Sequence, residues 1–591
     1  MKFSKYKMCC YAALLAGMLV SCNEAMELPS DGRISMKDVF SDYNRIRGWV
    51  SSCYGYVPAP YMDRASFTDE AQDSDDNTAG SDYAAWYGGN VTAFNYAQIS
   101  QDGSPWSGLY AGIRKCNIFL AEIPTATAYA TEAEKKSWTA QVHALRALYY
   151  LQLIKRYGGV PVFDKPFELN TDFAAVKRAT FSEVVKFILE DCDKALSFES
   201  GRDGFSWDVY ENQFGIMTRA AAYAIKSEAI TYAVSPLWSD GTFTMEQATQ
   251  INAEALGQCL ANDYRLFAIE PAANAAHNAY GLYFFTNSND QRTNDKETIL
   301  QVGSQMRVWQ WAGLPSNTGM NRAGPTPTQD LVDAYEMANG QPPILGYSDA
   351  NRTVPIVNTA SGYDEKDPYT GRDPRFYASI YYNGSVRFLN QPNGQKVETF
   401  VGGREEISSS NPKNTRTGYY LRKFNNWQSG QNNEGDGAIR LFRLAELYLN
   451  FAETAYQSAG PDIAVSATGF SMTARQAVNA VRARAKMPAL PAGLSKEAFE
   501  KRYRNERRIE LAFETHRYFD VRRWKILNQT DEFVTGMRIT KQGNNLTYTR
   551  FKFANRDCSS DRFLLYPIDP LEVNKMLSLT GANWQNPGWI E

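Results

Sequence analysis

Histidine is scarce: this chain of 591 residues has three, His143, His277 and His516. So few imidazoles leave little material for general-base or metal chemistry. The short patterns that mark several enzyme classes, G-x-S-x-G, H-E-x-x-H, C-x-x-C and G-x-x-x-x-G-K, are missing too. Neither charge dominates, with 62 basic and 65 acidic residues. That balance offers no field for gathering nucleic acid, so no nucleic-acid partner is expected. Beyond Val20 no apolar stretch approaches the ~20 residues that a transmembrane helix needs. Past the N-terminal segment the cysteines are odd in number and scattered, at Cys53, Cys116, Cys192, Cys259 and Cys558. A chain this large has core enough to do without disulfides, and these residues are expected as small buried apolar side chains.

The N-terminus carries Lys2, Lys5 and Lys7 and no acid, then an apolar run from Met8 to Val20, then Ser21-Cys22. Basic, apolar and small segments in that order describe a secretory signal, and the run is short for a bilayer span. Residues 1–21 are read as a lipoprotein signal peptide with cleavage before Cys22. Residues 22–40 are read as the lipidated cysteine and a tether that opens Asn23-Glu24-Ala25-Met26-Glu27. The plainer alternative is an ordinary signal peptide that happens to contain cysteine. More than one acyl chain on a cysteine anchors firmly, so the mature protein is expected at a membrane through its lipid alone.

From Lys135 to Tyr157 the apolar residues Trp138, Val142, Leu145, Tyr149 and Leu153 form one helical stripe, ended by Gly158-Gly159-Val160-Pro161. Thr180-Phe181-Ser182-Glu183 offers a capping box for a helix reaching about Leu196. Further helices are predicted over 218–234, 246–261, 439–457, 473–486 and 496–526, the last with a break near His516. Short connections between them suggest paired helices. Between about 264 and 436 the periodicity is lost among Gly, Pro, Asn and Ser. So long a loop-rich excursion is usually functional.

In the final predicted helix Ile509 and Phe513 lie four apart on one face, and Glu506, Glu510 and Glu514 form a row on another. Arg507, three residues before Glu510, and Arg517, three after Glu514, make alternating ion pairs available. A charged lattice that docks the helix is the simplest account. A metal or acid/base site is the sharper alternative, but no histidine follows a glutamate at the three-residue offset used by carboxylate metal helices.

The run from Arg504 to Trp524 resembles the signature of the SusD/RagB family. Other blocks are similar in the same order: Trp106 to Ile123, Ala144 to Pro161, Lys226 to Pro236, Leu441 to Glu453, Ala480 to Ala485, Tyr566-Pro567-Ile568 and Gln585 to Trp589. The resemblance implies a mainly α fold, an array of tetratricopeptide-like helix pairs over a single domain, 41–591, interrupted by the excursion. It also implies a non-enzymatic outer-membrane lipoprotein at the cell surface. Such a protein captures a glycan without a cofactor and hands it to a TonB-dependent SusC-like barrel.

A sugar site needs an aromatic platform ringed by carboxylates, amides or arginine. Two segments offer that mixture, Ser66 to Asn90 and Tyr280 to Trp311, and the resemblance implies that the ligand surface is built from these two regions. Trp86 is expected as the stacking platform, with Trp309 or Trp311, Tyr83 and Tyr283 beside it. Asp69, Asp73, Asn90, Asp42 and Arg372 are the expected hydroxyl partners. Burial in a core is the competing account of these aromatics. Asp73-x-Asp75-x-Asn77 has the opening spacing of a calcium loop, yet Thr78 stands where glycine is needed and Ala84 where a bidentate Glu is needed. An irregular structural calcium site is the alternative that the oxygen-rich loop leaves open. A glycoside hydrolase remains the competing class, since two carboxylates flanking a bond leave no linear pattern. A peptide-binding or partner-docking lipoprotein is the third reading.

Overall fold

A computed structural model of the chain describes residues 34–59, 62–103, 105–168, 170–208, 215–270, 278–285, 295–305, 308–316, 319–387, 395–425 and 437–589. The signal peptide over 1–21, Cys22 and the first part of the tether lie outside the described residues.

Among the described residues the frame includes the helices α1 (Pro105–Glu122), α2 (Glu132–Tyr157), α3 (Phe181–Leu196), α4 (Arg219–Ala233), α5 (Met245–Ala261), α6 (Leu444–Ser458), α7 (Ala474–Arg484), α8 (Lys496–Glu510) and α9 (His516–Arg523). Each of the first seven packs on the next in chain order, the arrangement of a helix-pair array. Their starts are set locally. Thr131, Thr180, Thr244 and Thr473 each close a capping box with Glu134, Glu183, Gln247 and Gln476, satisfying backbone N–H groups that the first turn leaves unpaired. α2 stops at Gly158, whose φ of 75° suits a residue without Cβ. Cys53, Cys116, Cys192, Cys259 and Cys558 are buried and free.

One predicted element differs in the structure, while another has its expected break, just before His516. Of the stretch 439–457, the part before Leu444 belongs to a strand, Gly437–Arg443, paired antiparallel with Thr298–Gln305. This pair closes the base of the excursion, so that α5 and α6 lie side by side although about 180 residues separate them. The stretch 496–526 breaks at Leu511–Thr515, where Phe513 and Thr515 take φ of 63° and 71°. Phe513 thus leaves the helix that carries Ile509. Both side chains still enter one core, with Tyr280, Phe284, Leu331, Tyr335, Phe376 and Met537 of the excursion and the C-terminal hairpin.

The glutamate row of the sequence, Glu506 and Glu510 on α8 and Glu514 in the turn after it, is buried at its side chains and is neutralised from a distance, not by its own helix. Glu506 pairs with Arg375 (2.5 Å) and Arg482 (2.8 Å). Glu510 takes Arg443 (2.7 Å), Arg375 (3.1 Å) and Arg484. Glu514 takes Arg443 (2.7 Å) and Lys423 (2.8 Å). Arg507 and Arg517 turn elsewhere, to Asp520 (2.7 Å) and Asp69 (2.7 Å). Buried guanidinium groups need planar bidentate partners, and the geometry of this lattice aligns excursion, frame and α8 together.

Arg443 contacts Glu297, Glu510 and Glu514 at once. Its removal takes one counter-charge from three buried carboxylates at once and leaves Glu514 with Lys423 alone, so Arg443→Ala is expected to cost about 3–5 kcal/mol in urea unfolding. Burial raises the Glu514 carboxyl, but Arg443 and Lys423 more than offset this and bring it to about 2 from the ordinary 4.5. Its stabilising contribution is therefore present above pH 4.5 and lost as pH falls towards 2. Urea midpoints should drop across that window, and by less in Glu514→Gln.

Candidate functional site

The early stretch, read in sequence as an open loop, is folded into the body. Ala71–Asp73 pairs antiparallel with Pro325–Pro327 of the excursion, and Asp82–Tyr87 is a short helix. Distant arginines meet its acids: Arg517 and Arg508 on Asp69 (2.7 and 2.9 Å), Arg416 on Asp76 (2.7 Å) and Arg322 on Asp73 (3.6 Å). Glu70 has no such cation on it. Burial and then Asp69 push it up to about 8, and one oxygen accepts the Phe513 N–H.

Arg322 is the centre of the solvent-facing part. Its guanidinium lies 5.8 Å from the ring of Trp311 and 5.2 Å from that of Tyr83, donates to the Tyr83 hydroxyl (3.2 Å) and pairs with Asp63 (3.3 Å). Trp311 is 48% exposed at the end of a one-turn helix, Val308–Trp311. The backbone fixes this pairing. Asn321 N–H donates to the Gln310 carbonyl (2.8 Å), and Gly324, at φ 66°, sits so close that a Cβ would strike the Trp311 carbonyl. The Tyr83 hydroxyl donates onward to Gln101 (3.0 Å). Asp63 Oδ1 and Arg322 Nε are buried without a hydrogen-bond partner among the described residues. Burial raises the Asp63 carboxyl against the pull of Arg322, and it raises Asp73 to about 6.

Asp63 and Gln101 also line a cleft of about 310 Å³ with Ser100, Asp102, Lys155 and Thr515. Asp102 holds its wall, accepting from Arg156 (2.6 Å), Arg64 (2.8 Å) and the Tyr566 hydroxyl (2.8 Å). An indole face, a guanidinium, a carboxylate and an amide thus converge at the rim of a polar cleft. That set can stack on an apolar ring face and exchange hydrogen bonds with its hydroxyls.

Of the residues singled out in sequence, the structure brings Tyr83, Asp73 and Trp311 together through Arg322. Trp86 is in the core instead, 1% exposed, with Phe67, Tyr96 and Phe563 edge-on around it at 4.8 to 5.9 Å. No face of its ring is free to act as a platform. Tyr283 is fully buried under Arg440, 3.8 Å from the ring centroid, with its hydroxyl on Thr298 (2.9 Å). Arg372 is buried and donates to the carbonyls of Pro368 and Tyr335 (2.8 Å each), which makes it a brace of the excursion. Asp69 is enclosed by its two arginines. Asp42 is exposed and caps the helix Tyr43–Cys53 through the Arg45 N–H (2.9 Å). Asn90 is exposed, its carbonyl accepting from Asn95 (3.4 Å). The side chain of Trp309 lies outside the described residues.

The oxygens considered for calcium have protein partners: Asp73 accepts from Ser66 (3.0 Å) and the Asp75 N–H (2.9 Å), and Asp75 from Thr78. Sequence reasoning missed Arg322, Asp63 and Gln101. None stands in a pattern, and only the pairing of 71–73 with 325–327 carries Arg322 to them. Trp86→Ala is expected to cost about 3–5 kcal/mol in denaturant unfolding through the cavity it leaves. Trp311→Ala should stay within about 0.5 kcal/mol, as at an exposed site.

Comparison with known proteins places this geometry. The model described as the SusD family matches residues 277–589, and one described as "Starch-binding associating with outer membrane" matches 43–229. A crystal structure of a SusD-like protein from Bacteroides fragilis superposes with a TM-score of 0.74 at 26% identity, covering 94% of this chain and 99% of that one. A laminarin-binding SusD-like protein superposes at 0.51 with 19% identity, over 93% of this chain and all of that one. A SusD-like protein of Formosa agariphila is 23% identical over 199 residues, which are 33% of this chain and 37% of that protein. The first match alone spans more than half of the chain, the helix-pair frame is shared nearly end to end, and the chain belongs to the SusD family.

Proposed function

We propose that this protein captures a glycan at the outer surface of the cell and passes it, uncleaved, to a TonB-dependent SusC-like barrel. The observation that carries the reading is Trp311, half-exposed over Arg322, whose guanidinium also reaches Asp63 and, through the Tyr83 hydroxyl, Gln101. A pyranose would lay its C–H face on the indole, and Asp63, Arg322 and Gln101 would take its hydroxyls. The descriptions of both family matches and the laminarin-binding relative support a carbohydrate as the ligand. Among the described residues no helix is long and apolar enough to cross a membrane. Attachment is therefore assigned to lipid on Cys22 and the tether over 22–40, with 41–591 as one binding domain and the excursion of about 264–436 supplying the platform. Capture needs no cofactor, and it needs moderate affinity so that the ligand is released.

A hydrolase reading is less favoured by the same geometry. The second carboxylate at Arg322, Asp73, is fully buried and hydrogen-bonded, out of position to flank a glycosidic bond with Asp63. Affinity electrophoresis through gels containing laminarin, starch and other polysaccharides, with product release assayed in parallel, tests the proposal. Retardation by at least one polymer without cleavage is expected. Trp311→Ala should weaken it by about tenfold or more, the scale for truncating an aromatic anchor. Release of products would overturn the assigned class, and unchanged retardation of Trp311→Ala would move the site.

A further inference from the structure

Beneath the cleft three helices bring together residues that the sequence keeps far apart. Glu228 of α4, Glu446 of α6 and His516 of α9 each present a ligand atom, all within 4.8 Å of one another. The site is closed to bulk water: Glu446 and the Glu228 side chain are about as buried as core leucines, and the His516 side chain is 11% exposed.

Glu446 is the anomaly. Both of its carboxylate oxygens are buried without a hydrogen-bond partner among the described residues, and its nearest polar neighbour of opposite type, His516 Nδ1, stands 3.9 Å away. Every other acid nearby is paired: Glu228 with Lys155 (2.5 Å), Asp520 with Arg507 (2.7 Å) and Arg523 (2.8 Å), and Glu453 with Arg523 (2.5 Å). Four carboxylates thus face three cations. A buried carboxylate with neither counter-charge nor donor is costly, and the cost is relieved when a cation completes the site. The hydroxyl of Tyr232, whose ring lies 5.3 Å from the Lys155 ammonium, is also buried and unpartnered.

We propose that Glu228, Glu446 and His516 bind a divalent transition-metal ion of the zinc class. Two carboxylates and one imidazole are a donor set that zinc, manganese and ferrous iron accept. Lys155 holds Oε1 of Glu228 and leaves Oε2 for the metal. The cleft is the side from which an ion would enter, since its lining includes Lys155, the partner of Glu228, and Thr515, which precedes His516 in the chain. A bound ion would tie α4, α6 and α9 together under the floor of the glycan site. The i, i+3 rule for carboxylate helices passes over this set because each ligand comes from a different helix.

The test uses the purified protein, stripped with a chelator and titrated with Co²⁺ and then Zn²⁺. Binding of about one equivalent of Co²⁺ with a visible d–d band, displaced by Zn²⁺, is expected, together with a rise in melting temperature. Glu446→Gln, which keeps the shape and removes the charge, should lose both the band and the rise. His516→Asn should do the same, which covers the case where the first variant does not fold. Less than about a tenth of an equivalent bound by the parent protein overturns the proposal. A band that survives in both variants also overturns it, by placing the ion elsewhere.

Discussion

Buried arginine must find acceptors, and much of this fold is arranged around the carboxylates that supply them. Arg375, Arg443, Arg482 and Arg484 converge on Glu506 and Glu510 of α8 from the excursion, the strand at its base and α7. Ion pairs in the interior recover desolvation only with good geometry and full partnering. Their value here is therefore alignment: a shift of α8 by one turn would strand several charges simultaneously. The helix frame and the excursion have separate hydrophobic cores, and Ile509 of α8 and Phe513 just after it belong to that of the excursion.

The same rule explains why an acidic early stretch becomes interior. Asp69, Asp73 and Asp76 look like a solvated loop when only neighbours in sequence are considered. Arg508, Arg517, Arg322 and Arg416 reach them from more than two hundred residues away. Neutralised, the stretch can form a strand with 325–327 and carry Tyr83 and Trp86 into the core beside it. Arg322 is the most exposed of these partners, with contacts to Trp311 and Asp63, and the candidate site is located there.

A division of labour follows. The helix array is closed by capping boxes and close packing, and it supplies rigidity. The excursion contributes Trp311 and Arg322 to the candidate site, the former on a one-turn helix held close by Gly324, and the early stretch contributes Asp63, Tyr83 and Gln101. Rigid frame and variable rim are a common way of separating stability from specificity.

Helix positions, the cap at Thr180, and the break after α8 were legible in the sequence because they depend on local periodicity and on side chains three residues apart. The family could be recognised for the same reason, through blocks spaced along those helices. The partners of buried charge could not be read. Arg507 and Arg517 stand at ideal helical spacing from Glu510 and Glu514, yet the chain turns at Phe513 and sends them to Asp520 and Asp69. Nor could sequence rank the tryptophans, since Trp86 and Trp311 sit in equally aromatic surroundings. Which of them keeps an open face depends on what packs above it, and that is decided by contacts between segments hundreds of residues apart.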